Sequence, residues 1–236
     1  MTSSETDRAG CKLGASTIGR YERLGGNLAL GWQMIEPAKC PVNAERMDNK
    51  RMGKSTANVF VALLRGVNVG GNNMISMSAL KKSFEALGFT DVVTYINSGN
   101  IIFKSKEADA RKLESKIEKM LLKEYQLDSR VVLRSLSEME KIVKSLPKNW
   151  TADRDWRYNV IFLRHTIDSK DILSELELKK DIEEVVYCPG ALFWSAQISE
   201  LTRTNMLKLS SRKMYLDMTI RNQNTTRKLY DLMKKL

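Results

Sequence analysis

The sequence has few of the residues that build metal and nucleophile sites. Its 236 residues include one histidine, His165, and three cysteines, Cys11, Cys40 and Cys188. The cysteines are widely spaced and form no CxxC pair, which excludes a disulfide framework and suits a reducing compartment. A zinc centre would need ligands that the chain barely has, and no cofactor is expected. No apolar run approaches the roughly 20 residues of a membrane helix. Met1–Gly10 is polar and no apolar h-region follows it, so no secretory signal is read there. A cytoplasmic protein with no membrane partner is the expectation. Acidic residues are also in deficit, 28 Asp+Glu against 39 Lys+Arg, a net charge of +11.

The excess positive charge is not spread evenly. Residues 57–202 hold 21 basic and 20 acidic side chains, whereas residues 203–236 hold nine basic against two acidic, a net of +7. A basic terminal segment on a nearly neutral body predicts an anionic partner. A solvated helix face is the alternative.

Residues 1–56 show no sustained period of 2 or 3.6, and Pro37 and Pro41 interrupt their one apolar stretch. Weak order is expected there. A mis-called start, with Met47 or Met52 as the true one, accounts for this segment, and a genuine extension is the alternative. Beyond it the signals become regular. Val59–Leu64 is a buried strand. Ser76 caps a helix carrying Met77, Leu80, Phe84 and Leu87, and Gly88 ends it. Val92–Ile96 and Ile101–Phe103 form a hairpin about Asn97-Ser98-Gly99-Asn100. Leu113, Ile117, Met120, Leu121 and Tyr125 mark a second helix, and Val131–Leu133 is a strand. A linking helix runs from Ser137, its expected cap, to Leu146. The order then repeats: strand Tyr158–Leu163, helix at Ile172–Leu176, strands Val185–Tyr187 and Leu192–Trp194 about Pro189-Gly190, helix Met206–Tyr215, strand Met218–Ile220, and a terminal helix.

Three short matches support the repeat. Ala62–Gly66 parallels Ile161–His165, Asn97–Phe103 parallels Tyr187–Phe193, and Val132–Ser135 parallels Thr219–Asn222. The predicted fold is α+β: duplicated ferredoxin-like βαββαβ units, 57–147 and 148–236, with a linking helix and a C-terminal helix.

The loop Arg65–Asn73 is the first candidate site. Its glycines admit close backbone approach, and Arg65 offers a bidentate fork for phosphate or carboxylate. Gly66 and Gly71 have P-loop spacing, but Asn72 and Asn73 replace the Lys and Ser/Thr of a P-loop, which rules out that motif. Candidate ligand-binding residues here are Arg65, Gly66, Asn68, Gly70, Gly71 and Asn72, joined by Asn97 and Ser98 of the hairpin turn. Arg164 is the repeat partner of Arg65, and the two are expected to converge between the halves. Arg221, Asn222, Asn224, Arg227 and Lys228 complete the set at the terminal helix, with Asn222 or Asn224 as its cap. For each of these a purely structural role is the competing reading: a strand-to-helix turn, a tight hairpin, solvated strand ends, a capped basic helix. The aromatics Tyr95, Phe103, Tyr187, Phe193 and Trp194 lie on hairpin strands but lack the RNP1 pattern, so they read as core.

Three blocks carry a family resemblance: Ala62-Leu63-Leu64-Arg65-Gly66-Val67-Asn68-Val69-Gly70-Gly71-Asn72-Asn73, Thr94–Phe103, and Met218–Leu229. The chain from about residue 58 to 236 resembles the bacterial family catalogued as domain of unknown function 1697. Gln223 stands where the resemblance implies an aromatic such as Trp. The resemblance implies an α+β protein of two similar halves and no activity. The leading functional expectation is a non-catalytic binder of a phosphate-bearing ligand, nucleic acid first. The alternatives are an enzyme acting on a small anionic substrate held between the halves, and a protein-interaction module.

Overall fold

The apolar run after residue 58 is buried on both faces, and this sets the layering. The computed structural model describes residues 57–68, 74–150, 155–179 and 181–236. The expectations for residues 1–56, and for Gly70, Gly71, Asn72 and Asn73, lie outside the described residues. The order is β1 (Asn58–Leu64), α1 (Met77–Ala86), β2 (Thr90–Tyr95), β3 (Asn100–Ser105), α2 (Ala110–Tyr125), β4 (Val131–Ser135), α3 (Leu136–Lys144), β5 (Trp156–Leu163), α4 (Ile172–Glu175), β6 (Glu183–Cys188), β7 (Ala191–Gln197), β8 (Met218–Asn222) and α5 (Gln223–Met233). The strands form two four-stranded antiparallel sheets, ordered β2-β3-β1-β4 and β6-β7-β5-β8.

Successive residues of a strand face opposite sides. Phe60, Ala62 and Leu64 of β1 therefore meet Leu80 and Phe84 of α1 and Leu113, Ile117 and Leu121 of α2. Val61 and Leu63 face the other way. They share a core with Ile102, Val132, Met139 and Ile142 of α3, Leu229 and Met233 of α5, and Val160, Phe162 and Phe193 of the second sheet. Helix α5 touches β1 and β3 as well as β5 and β8, so one amphipathic element seals both sheets. The far face of the second sheet, with Ile161, Leu163, Leu192 and Trp194, packs on Ile172 and Leu209. Phe103, Phe193 and Trp194 are buried, the core role their strand positions imply.

Helix boundaries follow side-chain caps. Ser76 accepts from the Ala79 N–H, Asp109 from Arg111 and Lys112, and Asn222 from Thr225. The cap of the linking helix lies two residues before the expected Ser137, because Ser135 and Glu138 form a reciprocal capping box. The larger departure is the expected helix Met206–Tyr215. Three 3-10 turns, Ile198–Arg203, Asn205–Ser211 and Lys213–Asp217, connect β7 to β8 instead. The Thr204 and Ser211 hydroxyls donate back to the carbonyls of Leu201 and Lys208, a local bond that competes with helix propagation. The expected helix after Asp171 is likewise a single turn. No helix among the described residues is long and apolar enough to cross a membrane.

Candidate anion-binding groove

Two arginines expected at strand ends lie inside edge strands. Arg134 on β4 is opposite Val61, and Arg221 on β8 is opposite Val160. Both are buried, and each reaches into the other sheet. Arg134 donates to the carbonyls of Leu163 and Gly190 and to that of Leu133. Arg221 donates to the carbonyls of Leu64 and Ser98, to the Asn100 side chain, and to Thr219 and the Ile220 carbonyl. The exchange is reciprocal, since the carbonyls of Leu64 and Leu163 end the first strand of each sheet. The Leu64 N–H donates to Gly99 and the Leu163 N–H to Gly190. Gly190 therefore stands opposite Gly99, one residue away from the sequence match, which paired it with Asn100. A guanidinium has five N–H donors, and Arg221 places all five on internal acceptors. It is a structural brace with nothing left to offer a ligand directly.

Charge compensation separates the two sides. Beside Arg134 lies Arg164, whose guanidinium meets Glu118 at 3.0 Å, Glu114 at 3.5 Å and Asp217 at 3.8 Å. His165 Nδ1 is 3.4 Å from Glu114, and Arg130 pairs with Asp217 at 2.5 Å. Glu114 and Glu118 also accept the outward N–H groups of Leu133 and Val131, so α2 closes the open edge of β4. Asp168 accepts from the Gly190 N–H at 2.9 Å and the Tyr187 hydroxyl at 3.0 Å. Burial, and then this bond, pushes Tyr187 up to about 12. Burial lowers the Arg134 pKa, and the carboxylates of Glu138, Asp168 and Glu114 oppose that shift.

No carboxylate compensates the Arg221 side among the described residues. Arg221 has only neutral partners, and burial alone pushes it down to about 10. Arg65, beside it, makes no ion pair among the described residues; its guanidinium lies 4.5 Å over the Tyr215 ring. Together they line a cavity of about 310 Å³ with Gly66, Val67, Ile96 and Ser98 on one wall and Tyr215, Met218, Ile220 and Asn222 on the other. Ile96 holds φ 48° and is half exposed. Positive φ at a β-branched residue is an outlier, and such strain concentrates at functional sites.

The remaining expected site residues divide sharply. Asn68 is a clamp: its amide donates to the carbonyls of Ile75 and Asn97 and accepts from the Ile75 N–H. Asn97 contributes a carbonyl to that clamp. Asn222 caps α5. Asn224, Arg227 and Lys228 are exposed on α5 and do not line the cavity. Neither does Arg164, which the Glu114–Glu118–Asp217 cluster holds, so Arg65 and Arg164 do not share one pocket. The sequence reading placed Arg134 at a strand end without assigning it to a site, and it missed Glu114. The signal was present in Val131-Val132-Leu133-Arg134, an arginine continuing an apolar run on an edge strand.

Burial raises the Glu114 pKa above its ordinary 4.5, against the Leu133 N–H, Arg164 and His165. The folded carboxyl thus holds its proton to higher pH than the unfolded one. Its contribution to stability falls as pH rises from 4.5 through the folded value. Glu114→Gln keeps an acceptor for Leu133 and cannot titrate. Its stability relative to the wild type should therefore rise with pH across that window, measured by urea unfolding at a series of pH values. A difference independent of pH would refute the shift.

A family model described as a protein of unknown function, DUF1697, matches residues 57–194. This span contains the first two sequence blocks and ends before the third. Among solved structures the chain is similar to the conserved bacterial protein SP0830 from Streptococcus pneumoniae. The two are 30% identical, with a TM-score of 0.66, over 75% of this chain and 99% of that one. Among curated proteins none matches.

Proposed function

Since this chain belongs to the DUF1697 family of proteins of unknown function, which carries no assigned activity, we propose a function from the geometry: non-catalytic binding of a small anion in the groove at Arg65. One observation carries the proposal. Four arginines occupy corresponding places at the meeting of the two sheets, and among the described residues carboxylates surround only one pair. Buried charges are normally paired. The uncompensated pair, Arg65 and Arg221, lines the cavity, so a bound anion supplies the missing charge. Arg65 makes the direct contact, and Arg221 contributes its field across the wall. The lining offers no nucleophile–base pair among the described residues, so binding is favoured over catalysis.

The test is a thermal-shift and calorimetry panel of phosphate, sulfate and small carboxylates at low salt. At least one anion should bind, and Arg65→Gln should weaken it about tenfold or more, the loss of one charged hydrogen bond. Equal binding to wild type and variant would overturn the proposal. The nucleic-acid reading now rests on Arg227 and Lys228, exposed neighbours on α5, the second of them close enough to Asp231 to lower its pKa. Two phosphate contacts would give a salt slope of only about −1 to −2, which is why the small anion is preferred.

The same correspondence supports a finer reading of the fold, also proposed here. The two sheets are taken as copies of one ferredoxin-like βαββαβ unit, 57–147 and 148–236. Each is ordered second-third-first-fourth, and each brace donates to the carbonyl that ends the first strand of the other sheet. The setting proposed is the cytoplasm, where a buried thiol such as Cys188 stays reduced.

A further inference from the structure

The molecule itself shows how its occupied arginine holds an anion. On the closed side, one carboxylate bridges two donors. Glu114 Oε1 accepts from the Leu133 N–H at 3.2 Å, and its Oε2 lies 3.5 Å from Arg164 Nε. Leu133 is opposite Ala62 on the first sheet, and Ile220 is opposite Ile161 on the second. Arg164 follows β5 directly, as Arg65 follows β1. Ile220 and Arg65 thus repeat the two donors, and both line the open cavity.

Among the described residues the Ile220 N–H has no partner. Neighbouring residues of an antiparallel strand alternate between facing the partner and facing away. The Arg164 N–H bonds the Asp217 carbonyl on the β8 side, and the Leu163 N–H bonds Gly190 on the β7 side. Val160 and Phe162 therefore point their N–H groups toward β8, and their partners there are Arg221 and Thr219. Ile220, between these two, points outward, and it donates to no group among the described residues outside the strand pairing. On the closed side α2 fills this edge with Glu114. On the open side the connection is the 3-10 segment ending in Lys213–Asp217, which lays Tyr215 under Arg65 and presents no carboxylate there.

We infer that the groove binds a small carboxylic acid, its carboxylate bridging the Arg65 guanidinium and the Ile220 N–H as the Glu114 carboxylate bridges Arg164 and the Leu133 N–H. This rests on the anion-binding reading above and names its ligand class. A carboxylate matches the spacing of one guanidinium and one strand N–H, as Glu114 demonstrates. The cavity walls at Val67, Ile96 and Met218 are apolar and suit the short alkyl stem that a glutamate side chain also carries. A single carboxylate leaves these walls in contact with carbon rather than with charged oxygens.

The experiment is an amide NMR titration of the full chain with butyrate, which reproduces glutamate from its Cα to its carboxylate, against inorganic phosphate and butanol. Butyrate should move the Ile220 amide proton downfield with saturation, and butanol should not. Arg65→Gln, its fold checked from the same spectra, should weaken the butyrate titration about tenfold or more. Thr225→Glu, which adds an internal carboxylate to the cavity lining, should also weaken it. A saturating Ile220 response to phosphate with none to butyrate overturns the carboxylate assignment and leaves the anion reading standing. No response to either overturns both. Butyrate binding that leaves Ile220 unmoved overturns the bridging geometry.

Discussion

Arg221→Ala is expected to lower the unfolding free energy by about 3–5 kcal/mol, among the largest effects of any single substitution in the chain. The loss arises from acceptors rather than from the arginine's own charge. Truncation strands the carbonyls of Leu64 and Ser98 and the buried Asn100 side chain, and each unsatisfied acceptor costs about 1–3 kcal/mol. The void left by the side chain adds to this, and removal of an uncompensated buried charge offsets part of it. Arg221→Lys should recover only a fraction. An ammonium has three donors on a point charge and cannot replace a planar fork that spans five acceptors. Urea unfolding measures both variants, with the m-value checked for constancy. A loss below about 1 kcal/mol for the alanine variant would mean that water replaces the guanidinium, and that the brace is not a structural necessity.

Gly190→Ala is the second large effect, and Gly88→Ala is its control. Both glycines hold strongly positive φ, 89° and 85°, so alanine incurs the same left-handed penalty of about 1–2 kcal/mol at either site. They differ in what a Cβ would meet. At Gly88 nothing lies within 4 Å, whereas at Gly190 Arg134 Nε would be 2.9 Å away and its Nη2 3.2 Å. Arg134 cannot swing aside, because it is buried and its terminal nitrogens are held by three carbonyls. Its Nε already finds no acceptor among the described residues. Gly190→Ala should therefore cost about 2 kcal/mol more than Gly88→Ala, the usual range for overpacking. Equal losses would show that Arg134 has room to yield.

Much of this arrangement was legible in the sequence wherever the signal is local. Ser76 and Gly88 bracket α1, Pro189-Gly190 marks the β6–β7 turn, and the apolar runs around Val61 and Ile161 mark the central strands. Each depends on one residue's own conformational preference or on a period of a few residues. The place of Arg65 at the end of β1 was legible, because a strand-to-loop arginine beside a Gly/Asn turn is a local pattern. What was not legible depends on distant partners. Nothing near Arg221 in sequence says that its acceptors are Leu64 and Ser98, separated from it by 157 and 123 residues. Nothing near Arg164 says that Glu114 will neutralise it while Arg65 has no such partner among the described residues. That asymmetry comes from the second connection, a 16-residue helix in one sheet and a chain of 3-10 turns in the other. Serine and threonine hydroxyls bonding to their own backbone make that difference. The apolar positions Met206, Leu209 and Tyr215 resemble a helix face, and only the hydroxyl-rich intervals argue against one.

The reciprocal braces also constrain the order in which the protein can be made. A ribosome delivers the first sheet early, since β4 ends at Ser135. The guanidinium that satisfies the ends of β1 and the β2–β3 turn belongs to Arg221, and synthesis at about 5–20 residues per second puts it several seconds behind. Until then the Leu64 and Ser98 carbonyls lack the Arg221 donor, and the apolar positions Val61, Leu63 and Ile102 are covered only in part, by α3. The first sheet thus lacks part of its native hydrogen bonding and core until the last strand emerges. A chain truncated before β8 would lose the completion of its earliest-made part along with its terminus.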